Sequence, residues 1–222
     1  MSERLPLFPL GTVLYPGLLL PLHVFEERYR QLVRDLMDGG EPRQFGVIAI
    51  RKGRETGIDG VDALYEVGCT ALVRRVAEHP DGRYDLITSG AQRFRLTGLD
   101  HSAPYLQGDV DFLPDEPGDQ ASAAAAVPPV QRAYRDYRGA LAERGAAETG
   151  PADLPDDPVQ LSYLIAASIV VDLPDHQALL AQPDALARLE AERILLTRET
   201  GMLRTFTSAP APDLRYSPWN PN

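Results

Sequence analysis

Leu5-Pro6-Leu7-Phe8-Pro9-Leu10, Val13-Leu14-Tyr15-Pro16-Gly17 and Leu20-Pro21-Leu22-His23-Val24-Phe25-Glu26-Glu27-Arg28-Tyr29 form a nearly continuous run whose reading decides the fold. Prolines 6, 9, 16 and 21 exclude a helix through its first part and break any signal-peptide reading of its apolar content. Two short extended pieces are expected instead, Leu5–Leu10 and Thr12–Tyr15, ended by the turn dipeptide Pro16–Gly17. Beyond the prolines the period changes. Phe25, Tyr29, Leu32, Val33 and Leu36 recur at helical spacing, which predicts one amphipathic helix with Phe25 and Tyr29 facing the core. Glu26 and Glu27 suit its positive dipole end, Glu26 has Arg30 four residues on as an ion-pair partner, and Gly39–Gly40 stop it.

Moving outward, strand-like segments follow in series: Phe45–Ile50, Tyr65–Val76, Tyr84–Ser89, Phe94–Leu99 and Tyr105–Phe112. Asp81–Gly82 marks a hairpin between two of them. Many strands with one embedded helix predict a small closed or half-closed barrel over residues 1–114. Composition then shifts through Pro114, Asp115, Glu116 and Pro117 into a helical half, residues 115–206. One helix is expected at about Val127–Arg144. A second starts at Asp157–Pro158, apolar on most sides, and is ended by Pro174. A short helix (Asp175–Ala181) and a long one opening at Pro183, with Leu189, Leu196 and Leu203 seven residues apart, complete a bundle. The class is α+β. Residues 207–222 hold Pro210, Pro212, Pro218 and Pro221 and no periodicity, so an extended tail is expected.

Composition narrows the chemistry. The chain has 222 residues and a formal net charge of −10, of which −3 falls on residues 1–114 and −7 on residues 115–222. Such acidity disfavours nucleic acid and anionic membranes, whose affinity rests on cation–phosphate contacts. Lys52 is the single lysine, and it stands outside any G-x-x-x-x-G-K-[ST] context, which excludes a phosphate-binding loop. Cys69 is the single cysteine, so no internal disulfide is expected and a reducing, cytoplasmic setting is inferred. The apolar run Tyr163–Val171 is far too short for a bilayer.

The N-terminal run closely resembles the opening of the substrate-binding domain of Lon proteases. Further matching strings occur in the same order: Phe45-Gly46-Val47, Glu66-Val67-Gly68-Cys69-Thr70, Asp81-Gly82-Arg83-Tyr84, Gly90-Ala91-Gln92-Arg93-Phe94-Arg95 and Pro104-Tyr105-Leu106. The resemblance covers roughly residues 4–206 and is specific in combination, each string being weak alone. It implies a PUA-like pseudo-β-barrel followed by a C-terminal helical bundle. It also implies recognition of unfolded or extended polypeptides, in the company of a protease or chaperone. The signatures of Lon's ATPase and Ser–Lys protease modules are not found in the sequence. The chain is therefore expected to be a stand-alone, non-catalytic adaptor or regulator in protein quality control, needing no cofactor. The alternative is a PUA-like RNA-binding protein using Arg51, Lys52, Arg54, Arg74 and Arg75, which lack interleaved aromatics.

Candidate peptide-binding residues are Tyr15, Leu18, Leu19, His23, Arg93 and Arg95. Leu18 to Leu20 offer apolar surface for a chain or close the barrel. Arg93 and Arg95 share a strand face and suit either a peptide carboxylate or an internal acid such as Glu66. His23 is read first as a hydrogen-bonded structural residue, because no second histidine, cysteine or carboxylate pair stands at metal-ligand spacing from it. No metal site is expected. Tyr216 and Trp219, in the proline-rich tail, read as a recognition peptide that self-associates with a groove or as an idle end.

Overall fold

In a computed structural model, residues 3–53, 61–145, 151 and 153–205 are described. The strands are β1 (Glu3–Leu10), β2 (Leu19–Val24), β3 (Gln44–Gly53), β4 (Val61–Leu64), β5 (Val67–Glu78), β6 (Tyr84–Asp100) and β7 (Gln107–Phe112). Helix α1 (Glu27–Asp38) lies between β2 and β3; α2 (Gln120–Ala142), α3 (Pro158–Ser168), α4 (Leu173–Leu180) and α5 (Ala185–Thr205) follow the sheet. The sheet runs β1-β7-β6-β5-β3-β4, and a parallel β1–β3 pairing brings its ends together. Five strands thus form a ring, with β4 beside β3 and β2 beside β6.

Two of the expected strands, Tyr84–Ser89 and Phe94–Leu99, are one 17-residue strand, β6. Gly90 between them is not a break. A Cβ there would lie 2.1 Å from the Tyr15 carbonyl oxygen, so the glycine lets the N-terminal loop press onto the strand. Thr12–Tyr15 is that loop rather than a strand, with Leu14 and Tyr15 buried. Pro16–Gly17 turns the chain as expected: Gly17 has φ +81°, and the Leu18 amide donates to the Tyr15 carbonyl at 3.3 Å. The prolines hid β2. Pro21 sits inside it without cost to the ladder because β2 pairs with β6 alone among the described strands.

Helix α1 begins at Glu27, with Glu26 as its N-cap, so Phe25 falls outside the helical period and stands 53% exposed instead of in the core. Tyr29, Leu32 and Val33 are buried, and Tyr29 stacks on Phe8 with ring centroids 4.0 Å apart. Glu26 pairs with Arg28 at 3.0 Å, while Arg30 pairs with Glu27. Helix α2 opens seven residues earlier than expected, capped by Asp119, whose side chain accepts from the Ser122 amide. Its internal Pro128 and Pro129 free the carbonyls of Ala124 and Ala125, which lie on exposed residues where solvent can pair them. Asp157 caps α3 with Pro158 in the first turn, and α3 ends at Ser168, ahead of Pro174. Leu189 and Leu196 of α5 are fully buried against α2 and α3.

A buried cluster of Tyr15, Val67, Tyr163, Ala166, Leu179 and Leu180 joins sheet to helices. The expected division at residue 114 therefore runs through a shared apolar contact. The tail 207–222 lies outside the described residues.

Candidate functional site

Where the N-terminal loop meets the bundle, Pro16, Leu18, Val159, Tyr163 and Leu164 line a predominantly apolar groove of about 400 Å³. Asp115 and Gln160 supply its polar lining. One wall is the turn fixed by Pro16–Gly17; the other is the first two turns of α3, held in place by the Asp157 cap. The loop continues into β2. There alternation leaves Leu19, Pro21 and His23 outward while Leu20 and Leu22 pack inward. Leu19 is 70% exposed, an apolar residue standing in solvent beside the groove.

The groove is backed by buried polar groups. Tyr163 donates from its hydroxyl to Asp115 Oδ1, which also accepts from Arg93 Nε at 3.0 Å. Arg93 is 1% exposed. Its Nη1 donates to the carbonyls of Leu180 (2.9 Å) and Gln182 (2.5 Å), and its Nη2 to those of Pro114 (3.0 Å) and Pro183 (3.3 Å). Arg188 lies over the Tyr163 ring at 4.1 Å and donates to Leu179 O and Ser162 Oγ. Gln177 donates to the Val67 carbonyl at 2.8 Å, and Tyr15 donates from its hydroxyl to the His176 carbonyl at 2.9 Å. Burial pushes the Tyr15 and Tyr163 hydroxyls well above the ordinary tyrosine range, so both remain donors. Burial also raises the carboxyl of Glu192, neither of whose oxygens has a hydrogen-bond partner among the described residues.

The six residues read from the sequence thus divide. Leu18 lines the groove and Leu19 flanks it. Tyr15 lies beneath, buried in the cluster that joins sheet to helices. Arg93 is used internally by Asp115, by the adjoining Pro114 carbonyl and by the carbonyls of Leu180, Gln182 and Pro183, rather than by Glu66; it fastens β6 to the α4–α5 turn. Arg95 is exposed on β6, away from these contacts. Tyr216 and Trp219 lie outside the described residues. Among the basic residues, Arg74 donates to Ser89 Oγ at 2.7 Å, and Arg54 is not described.

His23 has neighbours in space that its place in the sequence does not show. It stands directly opposite Asp85 across the β2–β6 pair, and its Nδ1 lies 2.6 Å from Asp85 Oδ1. His79, at the β5–β6 turn, places Nε2 2.6 Å from Asp85 Oδ2. These two contacts hold the Asp85 carboxyl below the usual range. Sequence separation concealed the His23–Asp85 contact, which strand pairing assembles. The groove residues Val159, Tyr163, Leu164 and Asp115 are not among the site residues read from the sequence. The signal was the excess of apolar residues on α3, more than one buried face requires.

No helix among the described residues is long and apolar enough to cross a membrane. Cys69 is buried, which raises its thiol to about 12.

Comparison with known proteins agrees with this architecture. Lon protease 2 of Myxococcus xanthus is 29% identical over 206 residues, covering 92% of this chain and 24% of that protein. Lon protease of Escherichia coli K12 is 26% identical over 206 residues, covering 91% of this chain. The chain spans about a quarter of the length of these relatives. Among solved structures, a Lon N-terminal domain protein from Xanthomonas campestris superposes with a TM-score of 0.58 at 24% identity, covering 88% of this chain and 98% of that one. The N-terminal domain of Mycobacterium avium complex Lon protease gives 0.61 at 15% identity, covering 90% and 98%. These likenesses show the fold. The family described as the ATP-dependent protease La (LON) substrate-binding domain matches residues 4–198, and the chain belongs to that family.

Proposed function

We propose that this chain is a non-catalytic, cytoplasmic polypeptide-binding module that takes extended or unfolded segments, acting as an adaptor or regulator in protein quality control. The observation that carries the reading is the groove between the Pro16–Leu18 turn and α3, next to an exposed Leu19 on a strand that, among the described strands, pairs with β6 alone. An extended segment suits both features. Its apolar side chains fill the groove, and its backbone runs beside β2, pairing with the main-chain groups that flank Pro21. Family membership supports polypeptide as the ligand class, and the net charge of −10 disfavours nucleic acid.

The test is hydrogen exchange on the full chain with and without an excess of a permanently unfolded model polypeptide. Protection confined to residues 16–24 and 159–164 is the expected result; an unchanged pattern there refutes the site. The same experiment on a chain lacking residues 207–222 shows whether the segment carrying Tyr216 and Trp219 competes for the groove. Faster exchange at 159–164 after deletion assigns it as an occupant.

A further inference from the structure

We propose that His23, His79 and Asp85 form a binding site for a divalent transition cation of the zinc class. Three separate backbone segments supply the three side chains. His23 and Asp85 are a directly opposed pair of β2 and β6. His79 is fixed by its own turn: its amide donates to Arg83 O and its carbonyl accepts from the Gly82 amide, both at 2.8 Å, with Gly82 at φ +79°. One ligand atom from each residue lies within 4.8 Å of the others.

Zinc bonds to nitrogen and oxygen at about 2.0–2.1 Å, so tetrahedral ligands sit roughly 3.4 Å apart. Seating the ion therefore requires the two 2.6 Å contacts to Asp85 to open by less than about 1 Å. Side-chain rotation suffices for that, because His23 and Asp85 are exposed and His79 is half-buried. Two imidazoles and one carboxylate favour zinc, nickel or copper over magnesium or calcium, which prefer all-oxygen sets. Three protein ligands leave a fourth position for solvent.

The proton arrangement gives the site a second signature. With Asp85 as acceptor, His23 Nδ1 and His79 Nε2 carry the ring protons. A cation takes those nitrogens as lone-pair donors, and each ring proton moves to the opposite nitrogen. On His23 that nitrogen is Nε2, which lies 3.4 Å from Arg83 Nη1. Arg83 then faces a donor instead of an acceptor. Arg83 thus opposes the cation, by charge and by hydrogen-bond polarity, although it sits within reach of the cluster.

The experiment is calorimetric titration of the tag-free, chelator-stripped full chain with zinc chloride, repeated with magnesium. One zinc per chain is expected, with magnesium inert. His23→Ala, His79→Ala and Asp85→Asn each weaken binding by at least about tenfold. Arg83→Ala leaves binding equal or tighter. At a hundredfold excess over Kd, zinc raises the melting temperature of the parent chain by about 5 °C or more, and that of Asp85→Asn by less. Asp85→Asn is isosteric and exposed, and its circular dichroism verifies that it folds. Absence of zinc binding at millimolar concentration, equal affinity in the three ligand variants, or equal binding of magnesium overturns the assignment.

Discussion

Removing Arg93 tests how sheet and bundle are joined. Arg93→Ala withdraws one buried guanidinium from Asp115 and from the carbonyls of Pro114, Leu180, Gln182 and Pro183. Each orphaned acceptor costs about 1–3 kcal/mol if left dry, and four of them together approach the whole stability of a domain, about 5–15 kcal/mol. Solvent entering the vacated space offsets part of that loss. Breaking a fully buried ion pair costs about 3–5 kcal/mol, and because the Asp115 side chain is 27% exposed the lower end, about 3 kcal/mol, is the better figure. For a chain of this size it lowers the melting temperature by roughly 6–12 °C, at about 2–4 °C per kcal/mol. Arg93→Lys keeps the charge but not the fork, and one ammonium cannot serve groups on both sides of the junction. It should lose at least about 2 kcal/mol. Urea unfolding measures both variants, and hydrogen exchange locates the loosening at residues 180–185. A loss below about 1 kcal/mol in Arg93→Ala refutes the claim that this residue fastens the junction.

Other perturbations read other parts of the structure. Gly90→Ala places a methyl 2.1 Å from the Tyr15 carbonyl oxygen and should cost about 1–3 kcal/mol in urea unfolding; an unchanged midpoint contradicts the close approach. Glu192 titrates above its ordinary value of 4.5 because burial penalises its charge. Below that value both folded and unfolded states hold the proton; as pH rises through the folded value, the unfolded chain has already shed it and stability declines. Glu192→Gln should therefore be more stable than the parent at neutral pH, with the difference vanishing below about pH 4.5. A Glu192→Gln chain that is less stable at neutral pH shows instead an ionised partner for Arg188.

Local signals in the sequence were legible where one residue type dictates one geometry. Pro16–Gly17, the Asp157–Pro158 helix start and the Asp81–Gly82 hairpin appear as expected. Apolar periodicity located Tyr29, Leu32 and Val33 in the core, and Leu189 and Leu196 in the bundle. Readings failed where a tertiary contact reverses the usual sense of a residue. Strands expected at Tyr84–Ser89 and Phe94–Leu99 are one strand, with Gly90 a point of close packing inside it. No strand is expected around Pro21, which is tolerated at an edge. The helix expected from Val127 starts at Gln120, with Pro128 and Pro129 inside it. The site was harder still. Arg93 carries the same side chain whether it meets a peptide or four carbonyls, and only the α4–α5 turn, nearly ninety residues away, decides which. His23 is likewise brought to Asp85 by β2–β6 pairing, which no local spacing encodes, while His79 reaches Asp85 across the β5–β6 turn.

The most direct test of polypeptide binding is fluorescence anisotropy of a labelled, unfolded apolar peptide titrated with the full chain and three single variants. Leu18→Asp and Leu164→Asp place charge in the groove, whereas Ile194→Asp does so on an exposed face of α5. Burying one leucine side chain is worth about 1.5–3 kcal/mol, so each groove variant should weaken binding by about tenfold or more. Ile194→Asp should bind as the parent does. Equal affinity in all four proteins, or no binding by the parent, contradicts the assignment of the groove as the polypeptide site.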